Sequence, residues 1–248
     1  VAYIENPKLK GSGLLAAIPQ TGRCPNNCPD CFFQGSGRSY LEPLKDNLPN
    51  LPDPKNCQDR VVRFNDGNDS NFKRDEVMEA GSKYPMKFYN TAIPKDLAGF
   101  EAPVVLTVNP GWRTDTEAYK IKDIPNNLMF VRIRTNTWNL DLVSDAVNYY
   151  TSRGVPVILT FMAYYDDFVP EDHKENYIWR TRTSNPYWAI TTAAWRNIMS
   201  EFKCRLLVYS CGKIEGELGK TSCKHCGHCL REYFATAERI RSGQERIS

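Results

Sequence analysis

The feature that most constrains the fold of this chain is a rhythm of short apolar runs. Residues 14–20, 60–64, 86–93, 103–108, 128–134 and 156–164 are each rich in aliphatic and aromatic side chains, and a further strand-like run follows at 205–209. Between them lie segments of helical character. Residues 71–84 suit a polar helix, and at 140–152 Leu142, Val143, Ala146, Val147 and Tyr150 recur at helical spacing, with another helix expected over 191–202. Strands that alternate with helices build a parallel sheet wrapped by helices, so the class expected is α/β. With 248 residues and 41% hydrophobic content, the chain can bury one full core, and α/β barrels of this size form single domains.

Composition narrows the partners. No apolar run approaches the roughly 18 residues that cross a bilayer, so no membrane partner is expected. A net charge of +3 is too small to indicate nucleic acid. Nine cysteines without a secretory leader point to a reducing, cytoplasmic setting in which thiolates hold metal.

Two segments break the rhythm. Residues 43–59 contain Pro43, Pro49, Pro52 and Pro54 and read as an irregular connection, with Cys57 as a free thiol. Residues 166–190 follow the sixth run, where barrel proteins place substrate-contacting loops. Tyr164, Tyr165, Asp166, Asp167, His173, Tyr177, Trp179, Arg180, Arg182, Tyr187 and Trp188 cluster there, as a surface excursion pinned by its aromatics or as a substrate lid.

Just after the first run, Cys24, Cys28 and Cys31 form a CxxxCxxC triplet. Three thiolates leave one iron of a [4Fe–4S] cluster without a protein ligand. Zinc favours four ligands, in CxxC pairs separated by a longer loop, and an odd number of cysteines fits a disulfide framework poorly. Pro25 and Pro29 each follow a cysteine and keep the loop extended, so that the thiols converge.

This triplet, near the N-terminus and following a strand, resembles the radical S-adenosylmethionine (SAM) superfamily. The resemblance implies a partial (β/α)6 TIM-like barrel and an open iron that chelates the amino and carboxylate groups of SAM. It also implies one-electron cleavage of the sulfonium to a 5′-deoxyadenosyl radical that abstracts hydrogen from a substrate, with a reductant such as flavodoxin or ferredoxin. One departure is Asp30, where the family commonly has an aromatic residue; Phe32 and Phe33 stand next to the last cysteine instead.

The family also carries a Gly-Gly-Glu-like turn after its second strand, which binds the SAM amino group. Here Gly67-Asn68-Asp69 stands at that place, with Asp69 as the acidic stand-in and Asp66 as its reserve; the same composition is that of an ordinary turn. Asn90, Thr107, Asn109, Arg132 and Arg134, at the ends of later strands, are further candidates for contacts to SAM. Arg132, Arg134 and Asn136 share one strand face, with Val131, Ile133 and Thr135 on the other, so the polar set faces either the barrel interior or solvent.

A second group, Cys211, Cys223, Cys226 and Cys229, overlaps two CxxC steps, with Cys204 in reserve. It suits an auxiliary [4Fe–4S] cluster, or zinc with His225 or His228 as alternative ligands. Its spacing does not match the seven-cysteine extension of peptide-modifying radical SAM enzymes. The expected organisation is a barrel over residues 1–203 and a cysteine-rich metal-binding extension over 204–248. The expected function is a radical SAM enzyme acting on an unidentified substrate, a small molecule or nucleoside being favoured over a peptide, which stays open; the alternative is a non-catalytic zinc or iron–sulfur interaction module. No residue identifies the hydrogen donor, and Cys57, Tyr164 and Tyr165 are the side chains that could act later in the cycle.

Overall fold

The computed structural model describes residues 2–22, 24–26, 28, 31, 33, 48–110, 119–165, 167–181, 186–202, 205–212 and 223–246. Its strands in chain order are β1 (Leu14–Ala17), β2 (Val61–Phe64), β3 (Lys87–Thr91), β4 (Val104–Val108), β5 (Leu128–Thr135), β6 (Val157–Phe161), β7 (Tyr177–Arg180), β8 (Tyr187–Ile190) and β9 (Val208–Ser210). Its helices are α1 (Arg74–Gly81), α2 (Leu140–Thr151), α3 (Thr192–Glu201), α4 (Cys223–Cys226) and α5 (His228–Ser242).

The fold is mixed α/β. Seven strands, β1 to β6 followed by β9, pair in parallel in chain order and curl into a half-barrel. β1 and β2 are buried at every position, because a parallel sheet is covered on both faces and its strands need no polar side. The sheet differs from the six-stranded expectation in its last member. β9 continues the sheet beyond β6, with Val157, Ile158 and Leu159 opposite Val208, Tyr209 and Ser210.

The connections are also less helical than a repeated strand–helix unit. Between β3 and β4 there is a single 3-10 turn, Leu97–Gly99. Within 166–190 the chain forms the antiparallel hairpin β7–β8, with Trp179 opposite Trp188. Trp188 also bridges Tyr164, with backbone hydrogen bonds of 2.7 and 3.0 Å, so the hairpin is tied to the segment that leaves β6.

The two faces of the sheet carry different cores. On the outer face Val62, Phe64, Leu106, Val131, Ile133 and Leu159 meet the apolar stripes of the helices, among them Val77 of α1, Val143, Val147 and Tyr150 of α2, and Trp195 and Ile198 of α3. On the inner face Leu14, Ala16, Val61, Phe88, Val105, Phe130 and Ile158 form a second cluster with Tyr233 of α5. The rings of Phe88 and Tyr233 lie 6.4 Å apart.

The C-terminal helix is therefore packed into the half-barrel. Its far end is fixed at the start of β5, where Arg239 donates to the carbonyl oxygens of Asn126 and Leu128 at 3.0 to 3.2 Å. Arg246 donates to the Gly154 carbonyl at 2.8 Å. No helix among the described residues is long and apolar enough to cross a membrane.

Candidate metal and cofactor site

The segment leading into the cysteine triplet is bound to the turn after β2. Gln20 is fully buried and donates to the carbonyl oxygens of Asp69 and Phe72 at 2.8 and 2.9 Å. Asn68 donates to the Gly22 carbonyl at 3.2 Å, and Lys73 to that of Thr21 at 3.0 Å. Beyond the last cysteine, Phe33 lies flat on Gly67, where an added Cβ would stand 2.5 Å from its ring. A bare glycine at 67 is thus a packing requirement. The turn begins at Asn65, whose φ of 59° is left-handed and whose N–H donates to the Ala17 carbonyl of β1 at 2.7 Å.

Asp69 organises this turn from within. One carboxylate oxygen accepts from the Thr91 hydroxyl at 2.7 Å and the Asn71 N–H at 2.9 Å, and the other from the Ala92 N–H at 2.6 Å. Burial pushes its carboxyl above the ordinary range, and those hydrogen bonds oppose the shift. Both oxygens are engaged by the chain's own donors. The reserve residue, Asp66, pairs with Arg63 at 2.7 Å and also accepts from the Asn6 amide.

The three thiols themselves are half-buried. Burial first, and then Asp69, Cys28 and Cys31, push the Cys24 thiol up to about 11, against a backbone hydrogen bond from Asn26. The triplet and the Asp69 turn are thus in electrostatic reach of one another. Asn109, just after β4, directs its amide nitrogen to the Cys28 sulfur at 4.0 Å.

The sheet supplies a polar tier on its inner face. On five strands a polar residue stands two positions after an inner apolar one: Arg63 after Val61, Asn90 after Phe88, Thr107 after Val105, Arg132 after Phe130 and Thr160 after Ile158. Arg134 lies one further step along β5, in register with Thr160. Asn90 donates to the Phe64 carbonyl at 2.8 Å and accepts from Arg132 at 3.4 Å. Arg132 and Arg134 therefore take the interior alternative. Asn136 does not join them, because its side chain turns to the Trp138 N–H and the Tyr164 hydroxyl.

Several buried polar atoms of this region have no partner among the described residues. They are Arg63 Nε, Asn65 Oδ1, Asn109 Oδ1 and Thr160 Oγ1. A buried polar group left without a hydrogen bond costs about 1–3 kcal/mol, so such a cluster suits a polar ligand or ordered water.

The C-terminal thiols lie on the same face, with Cys211 just after β9. Cys211, Cys223 and Cys229 pack against the inner apolar cluster, and the Gly212 N–H donates to the Cys226 sulfur at 3.4 Å. Burial pushes the Cys223 thiol up to about 11, with Arg63 opposing. Cys229 is also raised by burial, opposed by Arg132 and Arg63. The His228 ring lies tilted against Tyr209 at 4.7 Å and its pKa is lowered to about 4, by burial and then by Arg231; His225 is exposed. Cys204 lies outside the described residues.

Among the described residues no group of three or more His, Cys, Asp or Glu side chains is close enough to hold a metal ion. The donor chemistry of both cysteine groups is sulfur, which fits iron–sulfur clusters or zinc and not oxygen-seeking cations. The unpartnered Asn109 oxygen beside Cys28 and the unpartnered Arg63 nitrogen on the tier fit a polar occupant.

Sequence reasoning missed Arg63 and Thr160. The period-two step from Val61 and from Ile158 was a usable signal for both. The aromatics of 164–190 have mainly structural contacts: Tyr164 is fully buried between Trp138, Phe168 and Tyr177, while Trp179 and Ile178 remain exposed. Cys57 is buried, with its thiol on the Asp53 carbonyl. Compared with family models, curated proteins and solved structures, the chain matches none of them.

Proposed function

We propose that this chain is a radical SAM enzyme, in which Cys24, Cys28 and Cys31 hold a [4Fe–4S] cluster and the polar tier beside them receives SAM and a substrate. The observation that carries the reading is the anchoring of the cysteine segment on the Gly67–Asn68–Asp69 turn, at the carboxyl edge of a parallel half-barrel. Loaded with its cluster, such a site supplies one-electron reduction of a sulfonium.

The protein's own residues bind and orient. Asp69 fixes the turn, so that Gly67 and Asn68 present backbone groups to the amino end of SAM. Arg132 and Arg134 offer guanidinium donors to a carboxylate, and Asn90, Thr107 and Asn109 offer amide and hydroxyl groups to ribose. Phe88, Phe130 and Tyr233 keep water from the floor below.

In this reading Cys211, Cys223, Cys226 and Cys229 hold a second [4Fe–4S] cluster or zinc. The substrate is a small molecule or nucleoside, and the electron comes from a flavodoxin- or ferredoxin-type reductant. None of the eight described cysteines is in a disulfide, which suits a reducing cytoplasmic setting.

Anaerobic reconstitution with iron and sulfide tests the proposal. The expected result is a reduced-cluster EPR signal that shifts on adding SAM, with 5′-deoxyadenosine formed under dithionite. Both are lost when Cys24→Ala, Cys28→Ala and Cys31→Ala are combined. Zinc at both cysteine groups without SAM cleavage would sink the enzyme and leave a non-catalytic metal-binding module.

A further inference from the structure

The C-terminal cysteines lie where the apolar floor of the half-barrel meets its two best-placed inner arginines. Cys211, Cys223 and Cys229 touch the cluster that contains Val61 and Phe130. Arg63 and Arg132 stand two residues further along those same strands, on the same face. The Arg63 side chain is only 9% exposed; one end pairs with Asp66 at 2.7 Å, and its Nε–H is buried without an acceptor. Arg132 overlies the Phe130 ring at 5.7 Å, donates to the neutral Asn90 amide oxygen at 3.4 Å and faces the Cys229 thiol.

A cation shielded from water, as Arg63 is and Arg132 in part, calls for a counter-charge. Asp66 supplies it for Arg63, but Arg132 forms no ion pair with any carboxylate among the described residues. Four thiolates around a divalent ion or a [4Fe–4S] core carry net negative charge, and taking that charge out of water is costly unless cations or hydrogen-bond donors face it.

We infer that Arg63 and Arg132 are positioning residues for a metal centre on Cys211, Cys223, Cys226 and Cys229. Arg132 balances its charge, and the unpartnered Arg63 Nε–H serves as a donor to one of its sulfurs. The inference rests on reading these four thiols as one centre, and it places that centre inside the half-barrel, beside the polar tier. Gly212 supplies a further donor, through its contact with Cys226.

The test uses the full chain carrying Cys24→Ala, Cys28→Ala and Cys31→Ala, so that only the C-terminal thiols report. Zinc is titrated against a chromophoric chelator, and melting of the metal-free protein is followed in parallel. Arg132→Met is expected to weaken zinc binding by about 10- to 100-fold, the usual effect of removing a residue that supports metal ligands, with little change in metal-free melting. Arg132→Lys should restore most of the affinity by returning the charge. Arg63→Lys, which keeps the pair with Asp66 but lacks the second donor, should weaken it too.

Parental affinity in Arg132→Met would overturn the inference. So would a metal-free melting loss that accounts for the weakening and that lysine does not repair, or a parent that takes up no zinc at these thiols. Failure here is distinguishable from failure of the enzyme reading. Absent SAM cleavage with the zinc effects intact removes only the enzyme; cleavage intact with zinc affinity indifferent to Arg132 removes only this role.

Discussion

The two faces of one sheet are built to opposite rules. On the outer face of β5, Val131 and Ile133 are fully buried against helices and carry no polar atom in need of a partner. On the inner face of the same strand, Phe130 is followed by Arg132 and Arg134, and neighbouring strands add amide and hydroxyl groups, some of them unpartnered. A buried strand can thus assign stability to one set of alternate residues and ligand chemistry to the other. The outer face has the composition of a fold that is finished; the inner face has that of a site that expects an occupant.

The largest effect should come from the outer face. Phe64 is fully buried, with Tyr84 and Tyr89 rings 5.6 and 5.3 Å away. Phe64→Ala should cost about 3–5 kcal/mol in urea unfolding, while any zinc affinity of the C-terminal thiols in the folded protein should match that of the parent. A loss of metal affinity with stability unchanged would abolish the division between the faces.

Next comes the contact that joins the cysteine segment to the sheet. Gly67→Ala forces a Cβ against Phe33 and should cost about 1–3 kcal/mol by overpacking. It should also speed alkylation of Cys24, Cys28 and Cys31, because the segment loses its seat. Adding Phe33→Ala should recover part of both effects, as expected for residues in direct contact. If the double variant is simply additive, the two residues do not couple and the anchoring argument weakens.

The outer face was the more legible one in the sequence. Strands buried on both sides read as apolar runs, and those at 60–64, 103–108 and 128–134 differ from the observed β2, β4 and β5 by a residue or so at each end. The hairpin at Tyr177–Arg180 and Tyr187–Ile190 was not legible, because its polar and aromatic residues also suit an irregular loop. The inner site was legible only in part. Cys24, Cys28, Cys31 and Gly67 stand out by residue type and place, whereas Arg63 and Thr160 gain meaning only when the direction of curl makes their face the inner one. Asp69 was visible as an acid, but its tie to Thr91 and Ala92 spans more than twenty residues and no local pattern encodes it.

That tie makes a pH prediction. Burial raises the folded-state carboxyl of Asp69 above its unfolded value. For an acid shifted in this direction the folded chain holds the proton more tightly. The associated stability is therefore fully present below the unfolded value and is lost as pH rises through the folded one. Asp69→Asn cannot titrate. The stability of the parent minus that of the variant should therefore fall as pH is raised from the acid range toward neutrality, measured by urea unfolding at successive pH values. A difference that instead grows with pH would mean that the donors from Asn71, Thr91 and Ala92 outweigh burial, making Asp69 a carboxylate held ionised in the turn.

The smallest expected change in stability belongs to Thr160, and it discriminates most sharply between the two faces. The Thr91 hydroxyl is used twice, as donor to Asp69 at 2.7 Å and as acceptor from the Ile93 N–H at 2.9 Å. The Thr160 hydroxyl is also shielded from water but has no partner among the described residues, and it stands beside Arg134 in register. Removing an unpartnered buried hydroxyl with little change of shape is close to neutral, because no hydrogen bond is lost and a desolvated dipole is relieved. Thr160→Val should therefore leave the metal-free protein within about 0.5 kcal/mol of the parent, or slightly more stable. If the inner tier serves a ligand, the same substitution should weaken SAM binding to the reconstituted protein in equilibrium dialysis. Were Thr160→Val instead to destabilise the metal-free chain by more than about 1 kcal/mol, the hydroxyl would be part of the fold's own hydrogen bonding, and the inner face would be ruled by the same economy as the outer one.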